Sequence, residues 1–248
     1  MQHKRVFTLL LACNLAAYAQ ITLKGNISLK GAVSAKAVAV SGGTPTLLAS
    51  TVASASGGST ATSPDIDCTG ATSITITVGN YAADSTAVTI TDTQGNTSYV
   101  SSTDQGSGGG SWHSSIRVKD APSVGSMHWT ATGGSYVTIQ PMCWSGTTGA
   151  IDQQNGNGLQ DGSGVMQTGS ITAATGSLVI VGASTGDSTK HPTAIDNGFT
   201  IDQNYIQGSA GVSLMTAYKV LGGAINPQIT YDVTGAIRSA RIISITHN

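Results

Sequence analysis

The alternation of apolar and polar residues is most regular in residues 21–40, ITLKGNISLKGAVSAKAVAV. Apolar residues or glycines occupy every second position of its first half, and Lys24, Lys30 and Lys36 return to the opposite side every six residues. This period of two is that of a β-strand, whereas a helix would show a period of 3.6 and would be weakened by the glycines. The pattern predicts an extended strand with one apolar side, formed by Ile21, Leu23, Ile27, Leu29 and Val33. We call residues 20–45, this strand and its SGGTP linker, the N-terminal arm.

The remainder of the chain, residues 46–248, shows many short strand patterns separated by turn residues and no helical period. Residues 178–181, LVIV, form a continuous apolar run that predicts a central strand buried on both faces. Residues 92–96, DTQGN, predict a hairpin turn, and the glycine-rich stretches 53–63, 104–111 and 152–164 predict loops. The predicted strands are 47–53, 72–78, 87–91, 97–101, 114–119, 126–130, 136–144, 164–172, 178–183, 198–202, 212–221, 228–233 and 237–246. Together they predict an all-β fold, a single jelly-roll-like β-sandwich preceded by an extended strand.

The first nineteen residues have the features of a secretory signal peptide. A basic start at Lys4 and Arg5 precedes a short apolar run, and Ala17-Tyr18-Ala19 fits the cleavage pattern. An alternative reading is a lipoprotein box that ends at Cys13, which would then carry a lipid. The apolar run is too short to span a bilayer, and no later segment of the sequence is long enough. We therefore expect a secreted protein, extracellular or on a bacterial surface.

The charge composition agrees with an exported β protein. Loss of the signal peptide leaves nine basic residues against twelve acidic ones, and every acidic residue is an aspartate. Aspartate favours turns and caps, whereas glutamate favours helix interiors, so the absence of glutamate points away from helices. No basic patch is present, which argues against a nucleic-acid partner.

Cys68 and Cys143 are the two cysteines that remain after the signal peptide. In an oxidising compartment an even pair predicts a disulfide, which would stabilise the fold by about 4 kcal/mol because it closes a long loop. Two separate buried thiols are the alternative.

Two motifs that would carry chemistry have simpler explanations. The sequence GASTG around Ser184 matches a nucleophile elbow, but the elbow requires a helix next and the chain continues with turn residues. The pairs Asp65 with Asp67 and Asp152 with Asp161 offer the oxygen ligands that calcium prefers, without EF-hand spacing. Turn capping explains the same residues. We expect no enzyme and no required cofactor, with calcium as an open alternative.

Histidines and tryptophans are the remaining candidates for a ligand site. The histidines lie far apart and form no zinc motif. Trp129 and Trp144 fall in predicted strands, which favours the core, whereas Trp112 falls beside a predicted loop. A row of exposed rings could stack on a sugar; the alternative is that Trp129 and Trp144 are core residues and only Trp112 lies in a loop, which makes Trp112 the candidate glycan contact.

Five segments together resemble a broad group of secreted bacterial β-sandwich domains with jelly-roll or lectin-like shape. The resemblance covers residues 46–248 and implies an extracellular, non-enzymatic sandwich, and it supplies no catalytic residues. The N-terminal arm lies outside it. The segments are 91–97 (TDTQGNT), 151–156 (IDQQNG), 167–172 (QTGSIT), 177–183 (SLVIVGA) and 242–245 (IISI).

The arm determines the predicted function. An extended strand with one apolar side requires a sheet edge, and an edge on another copy would produce a head-to-tail polymer. We therefore expect a structural or surface protein, the subunit of an extracellular fibre that assembles by β-strand addition. The arm could instead pair with its own sandwich. The second function class is a carbohydrate-binding module or lectin-like adhesin that binds polysaccharide through Trp112 and the 152–164 stretch.

Overall fold

The computed structural model describes residues 43–55, 57–81, 84–107, 112–160, 163–186, 191–206, 212–232 and 237–247. These residues form β-strands and one short 3₁₀ helix, η1, so the predicted all-β class is confirmed. The elements are β1 (Thr46–Ser50), β2 (Ala53–Ser54), β3 (Thr60–Thr62), β4 (Ile66–Asp67), β5 (Ser73–Tyr81), η1 (Ser85–Ala87), β6 (Thr89–Asp92), β7 (Val100–Ser101), β8 (Gln105–Gly106), β9 (Trp112–Asp120), β10 (Ser126–Met127), β11 (Trp129–Thr132), β12 (Ser135–Ser145), β13 (Thr147–Gln160), β14 (Val165–Gln167), β15 (Ile171–Thr185), β16 (Pro192–Ile195), β17 (Thr200–Tyr205), β18 (Ser213–Ile225), β19 (Gln228–Tyr231) and β20 (Ile237–His247).

Two large antiparallel sheets form the body of the described structure. The first main sheet has the order β1-β12-β5-β9-β7, with β2 also paired to β12 and β8 to β9. The second main sheet has the order β13-β20-β15-β18-β17. Three smaller sheets accompany them, with the orders β3-β11-β6, β10-β4 and β14-β19-β16.

The same connectivity occurs twice along the chain. In the first half the first strand, β1, pairs with the last strand, β12, and β12 pairs with the long strand β5. In the second half the first strand, β13, pairs with the last strand, β20, and β20 pairs with the long strand β15. In the first half β3, which comes after β1 and β2, pairs with the penultimate strand β11, and in the second half β14, which comes after β13, pairs with the penultimate strand β19. Only Gly146 separates β12 in the first half from β13 in the second. The expectation of a single sandwich is therefore not confirmed, because five sheets are present and their order repeats.

The buried apolar side chains form three separate hydrophobic layers. The central layer joins the two main sheets and contains Ile116, Val118, Met142, Trp144, Leu178, Ile180, Ile243 and Ile245. The outer face of the first main sheet packs against β3, β10 and β11 through Ile74, Ile76 and Trp129. The outer face of the second main sheet packs against β14 and β19 through Val179, Val181 and Ile229. Residues 178–181 thus belong to a strand buried on both faces, as predicted.

The main sheets approach most closely where small residues face each other. A Cβ atom on Gly79 of β5 would lie 2.6 Å from Val212 Cγ1, and one on Gly182 of β15 would lie 2.4 Å from Thr77 Cγ2. Real Cβ atoms do not come this close to another carbon, so the distance between the sheets requires glycine at both positions.

Candidate functional site

Because the predicted function depends on strand addition, the edges of the main sheets are the relevant surfaces. Each main sheet has two edges, β1 and β7 in the first sheet and β13 and β17 in the second. An unpaired edge presents backbone N–H and C=O groups that can template another strand. Proteins commonly block such edges, and the edges of the two main sheets differ in how they are covered.

The β13 edge is sealed by its own side chains. Asn155 Oδ1 accepts a hydrogen bond from the Gly156 amide at 2.8 Å, and Asn157 Oδ1 accepts one from the Gly158 amide at 2.9 Å. The two asparagine amide groups then donate to the carbonyls of Ser170 and Gln167. Since amides two residues apart point to the same edge, these bonds occupy the donors that an incoming strand would use.

The segment around β8 covers the same edge. Gln154 Oε1 accepts a hydrogen bond from the Thr103 amide at 2.9 Å. A Cβ atom on Gly158 would lie 1.9 Å from the Gly106 carbonyl oxygen, so the two backbones are in direct contact. The β13 edge therefore offers little room to another chain.

We expect the double substitution Asn155→Ala and Asn157→Ala to increase self-association, because it exposes two edge amides while keeping the strand. The measurement is light scattering of the purified protein over time, with an increase of severalfold expected. Gln153→Ala, an exposed change on the same strand, is the matched control and should behave like the unmodified protein. Equal scattering from all three proteins would contradict the sealing role.

The opposite side of the molecule brings β1 and β17 together. The Ser50 hydroxyl donates to Asp202 Oδ1 at 3.1 Å, which joins the edge strands of the two main sheets. Among the described residues, five large hydrophobic side chains are exposed, and three of them lie here: Leu48 (42%), Ile201 (37%) and Ile206 (45%). We call these three residues, with Ser50 and Asp202, the β1–β17 edge. Exposed apolar groups concentrated at an unpaired edge are typical of an interaction surface.

The charges at the described surface are predominantly negative. The three arginines among the described residues, Arg117, Arg238 and Arg241, are at most 7% exposed. Arg117 donates to the carbonyls of Ser85 and Val88 at 2.8 and 3.0 Å, so its charge is directed into the fold. The basic residues outside the core that the structure describes are Lys119, Lys219 and the histidines.

Asp202 is the carboxylate placed within the β1–β17 edge. Its side chain is half-buried, and burial raises the pKa of the carboxyl above its usual value, while the Ser50 hydrogen bond acts in the opposite direction. Asp202 Oδ2 is shielded from solvent and has no hydrogen-bond partner within the described residues. Because the side chain as a whole is only half-buried, a cation that another segment supplies can still approach the carboxylate.

The assembly strand predicted from the sequence lies outside the described residues, with all five of its apolar side chains, Ile21, Leu23, Ile27, Leu29 and Val33. Cys13 lies outside them as well. Cys68 and Cys143 form the predicted disulfide, with their Cα atoms 5.6 Å apart.

Trp112 lies in β9 and is only 9% exposed. Its ring packs 4.5 Å, centroid to centroid, from the ring of Tyr81, and a Cβ atom on Gly186 would fall within the indole. A ring that stacks on a sugar must expose one of its faces, whereas neighbouring residues cover most of the surface of the Trp112 ring. No observation on the described residues therefore favours Trp112 as a glycan contact.

The other candidate residues serve the fold. Ser184 is fully buried within β15 and hydrogen bonds to Ser239 Oγ at 2.6 Å, so it is not at a strand-to-helix turn. Asp67 accepts from the Thr69 amide, and Asp152 contacts Ser244 Oγ at 3.4 Å. Asp161 lies outside the described residues. Within the part of the chain that the structure describes, no three acidic, histidine or cysteine side chains are placed to hold a metal ion.

Three histidines each face an aspartate. His113 Nδ1 lies 2.5 Å from Asp104, and His128 Nδ1 lies 2.6 Å from Asp65. His191 Nδ1 lies 3.0 Å from Asp232 Oδ2, although without hydrogen-bond geometry. They are three separate two-residue contacts, and of these three histidines only His113 lies within a strand.

A shallow cleft of about 550 Å³ lies near the junction of the two halves. Thr147 donates its amide to Thr72 Oγ1, and the Thr148 hydroxyl donates to the Thr246 carbonyl. The threonines of the cleft are thus used in hydrogen bonds within the fold. Asp120, which is exposed, is the charged residue among those that line the cleft. The lining residues are Ala71, Thr72, Asp120, Ala121, Thr147 and Thr148.

Comparison with protein-family models, with curated proteins and with solved structures gave no match in any of the three. Among the described residues there is no helix with the length and apolar composition that crossing a membrane requires.

Proposed function

We propose that the chain is a secreted structural protein that assembles into an extracellular fibre by donating its N-terminal arm to a sheet edge of another copy. The observation that supports the proposal most is the difference in charge between the arm and residues 46–248. The arm has three lysines, no acidic residue and one apolar side, whereas residues 46–248 contain all twelve aspartates. With the three arginines of the body buried, the arm and the described surface have opposite charges.

We also infer that each half of the body is one jelly-roll-like unit. The repeated strand order supports this inference, because each half contributes a long sheet and a short covering sheet joined by crossovers. The two halves share the central hydrophobic layer, to which Ile116 and Ile180 belong.

Substitution on the apolar side of the arm is expected to abolish assembly. Ile27→Lys with Leu29→Lys places two charges where apolar side chains would enter a groove. Asn26→Lys with Ser28→Lys is the matched control, since it adds the same charges on the polar side. Electron microscopy and sedimentation of the mature protein should show fibres for the unmodified protein and the control, and separate particles for the first variant.

Two outcomes would count against the proposal. If the mature protein forms no fibre under any oxidising condition tried, the assembly function is wrong. If the apolar-side variant loses its native circular dichroism spectrum, the arm belongs to its own fold and pairs within the molecule.

A further inference from the structure

We propose that the β1–β17 edge is the acceptor for the arm of a second copy, and that Asp202 binds one of the arm's lysines there. This inference rests on the proposed function, which it makes more specific by naming the receiving surface.

Apart from Asn204, whose amide group donates to the Pro192 carbonyl at 2.8 Å, the β17 strand is the longest open edge of the described main sheets. The β13 edge is sealed by Asn155 and Asn157. At the far edge of the first sheet, β7 and β8 contain two residues each, which is too short to align an incoming strand. β17 contains six residues, pairs with β18 on one side, and exposes Ile201. An arm strand of similar length would bury Ile201 and Leu48 together.

The chain enters β1 at the end of the strand opposite to the Asp202 contact. Thr46 pairs with Ser145 at one end of β1, whereas the contact with Asp202 is made by Ser50 at the other end. The residue before Pro45 is restricted to extended conformations, so Thr44 continues the direction of β1 away from that contact. Extended at about 3.3 Å per residue, the 21 residues of segment 20–40 could reach about 70 Å, which is ample to reach a neighbour.

Asp202 provides the charge that an arm lysine requires. Ser50 occupies one carboxylate oxygen, and the other is shielded from solvent without a partner in the described residues. The Asp202 side chain as a whole is only half-buried, so an ammonium group can approach the carboxylate and donate a charge-assisted hydrogen bond to it. The arm repeats its lysines every six residues, so several registers would place one of them at this position.

The test measures fibre assembly of the full mature chain carrying Asp202→Asn or Asp202→Lys. Asp152→Asn on the sealed β13 edge is the matched control, because it removes the same charge from an exposed position. We expect Asp202→Asn to slow assembly at least tenfold at low salt, Asp202→Lys to abolish it, and the control to assemble like the unmodified protein. Changing the three arm lysines to aspartate in the Asp202→Lys chain should restore assembly.

The possible failures are distinguishable. If the unmodified protein does not assemble, the proposed function is wrong. If it assembles and Asp202→Lys assembles equally well, the acceptor surface is wrong while the proposed function stands. Should Asp202→Lys disturb the circular dichroism spectrum, Ile201→Lys makes the same test at an exposed side chain, with the same expected loss and the same contrary result.

Cross-linking identifies whose arm is bound. One full chain carries Leu29→Cys, the other carries Ile201→Cys, and oxidation of their mixture should give a covalent dimer. A chain carrying both substitutions that forms only an intrachain cross-link, even when concentrated, would overturn binding to a second copy.

Discussion

Replacement of Gly182 by valine is expected to destabilise the protein by more than about 3 kcal/mol, because it forces a side chain into the closest contact between the main sheets. Gly182 lies in β15 on the side that faces the first main sheet. A Cβ atom there would meet Thr77 Cγ2 at 2.4 Å and Ile116 Cγ1 at 3.6 Å. Thr77 is 1% exposed and Ile116 is fully buried, so neither can move toward solvent. The measurement is the midpoint of urea unfolding.

A double-mutant cycle tests the assigned contact. Gly182→Ala alone should cost about 2 kcal/mol, and Thr77→Ser should relieve much of that cost because it removes the methyl group that the new Cβ would strike. Gly43→Ala is the control, since nothing lies within 4 Å of a Cβ atom at that position. Additive effects of the two substitutions would show that the Thr77 methyl group is not what excludes a side chain from residue 182.

Local patterns predicted the class of fold and its central strand. The run 178–181 is apolar at every position because β15 lies between two hydrophobic layers, with Leu178 and Ile180 in one and Val179 and Val181 in the other. A strand buried on both faces needs no polar alternation, so the sequence alone identifies it.

The pairing of strands was harder to predict because it depends on distant residues. Asp92 accepts from the amides of Gln94 and Asn96, and Gly95 has a positive φ of 73°, so the predicted turn exists. It is not a hairpin turn, however, because β6 before it pairs with β11. Turn chemistry is local, whereas the choice of partner strand is not.

The predicted loop at residues 152–164 is wrong for most of its length, since β13 continues to Gln160. Its glycines indicated a loop by composition. In the structure Gly156 faces the Arg241 side chain and Gly158 faces the Gly106 carbonyl, so both are required by close packing of distant segments. Which residues lie at a sheet edge also depends on contacts between distant segments, so the sequence alone did not identify Asn155, Asn157 and Asp202 as edge residues.

Removal of the disulfide is expected to have an effect of similar size by a different mechanism. Cys68 follows β4 and Cys143 lies in β12, and both are fully buried in the outer layer of the first main sheet. The bond closes a loop with a sequence separation of 75 residues, which lowers the entropy of the unfolded chain. Cys68→Ala with Cys143→Ala should therefore lower the stability by about 4 kcal/mol and the melting temperature by about 10 °C.

The same experiment separates loop closure from side-chain packing. Reduction of the unmodified protein with dithiothreitol should reproduce most of the loss, because it opens the loop and keeps both sulfur atoms. The double-alanine variant should not respond to dithiothreitol, since it has no disulfide to reduce. A reduced protein as stable as the oxidised one would show that the bond adds nothing beyond the packing of its sulfurs. In that case oxidative export would not be needed for the body to fold, and the link between the cysteine pair and secretion would be lost.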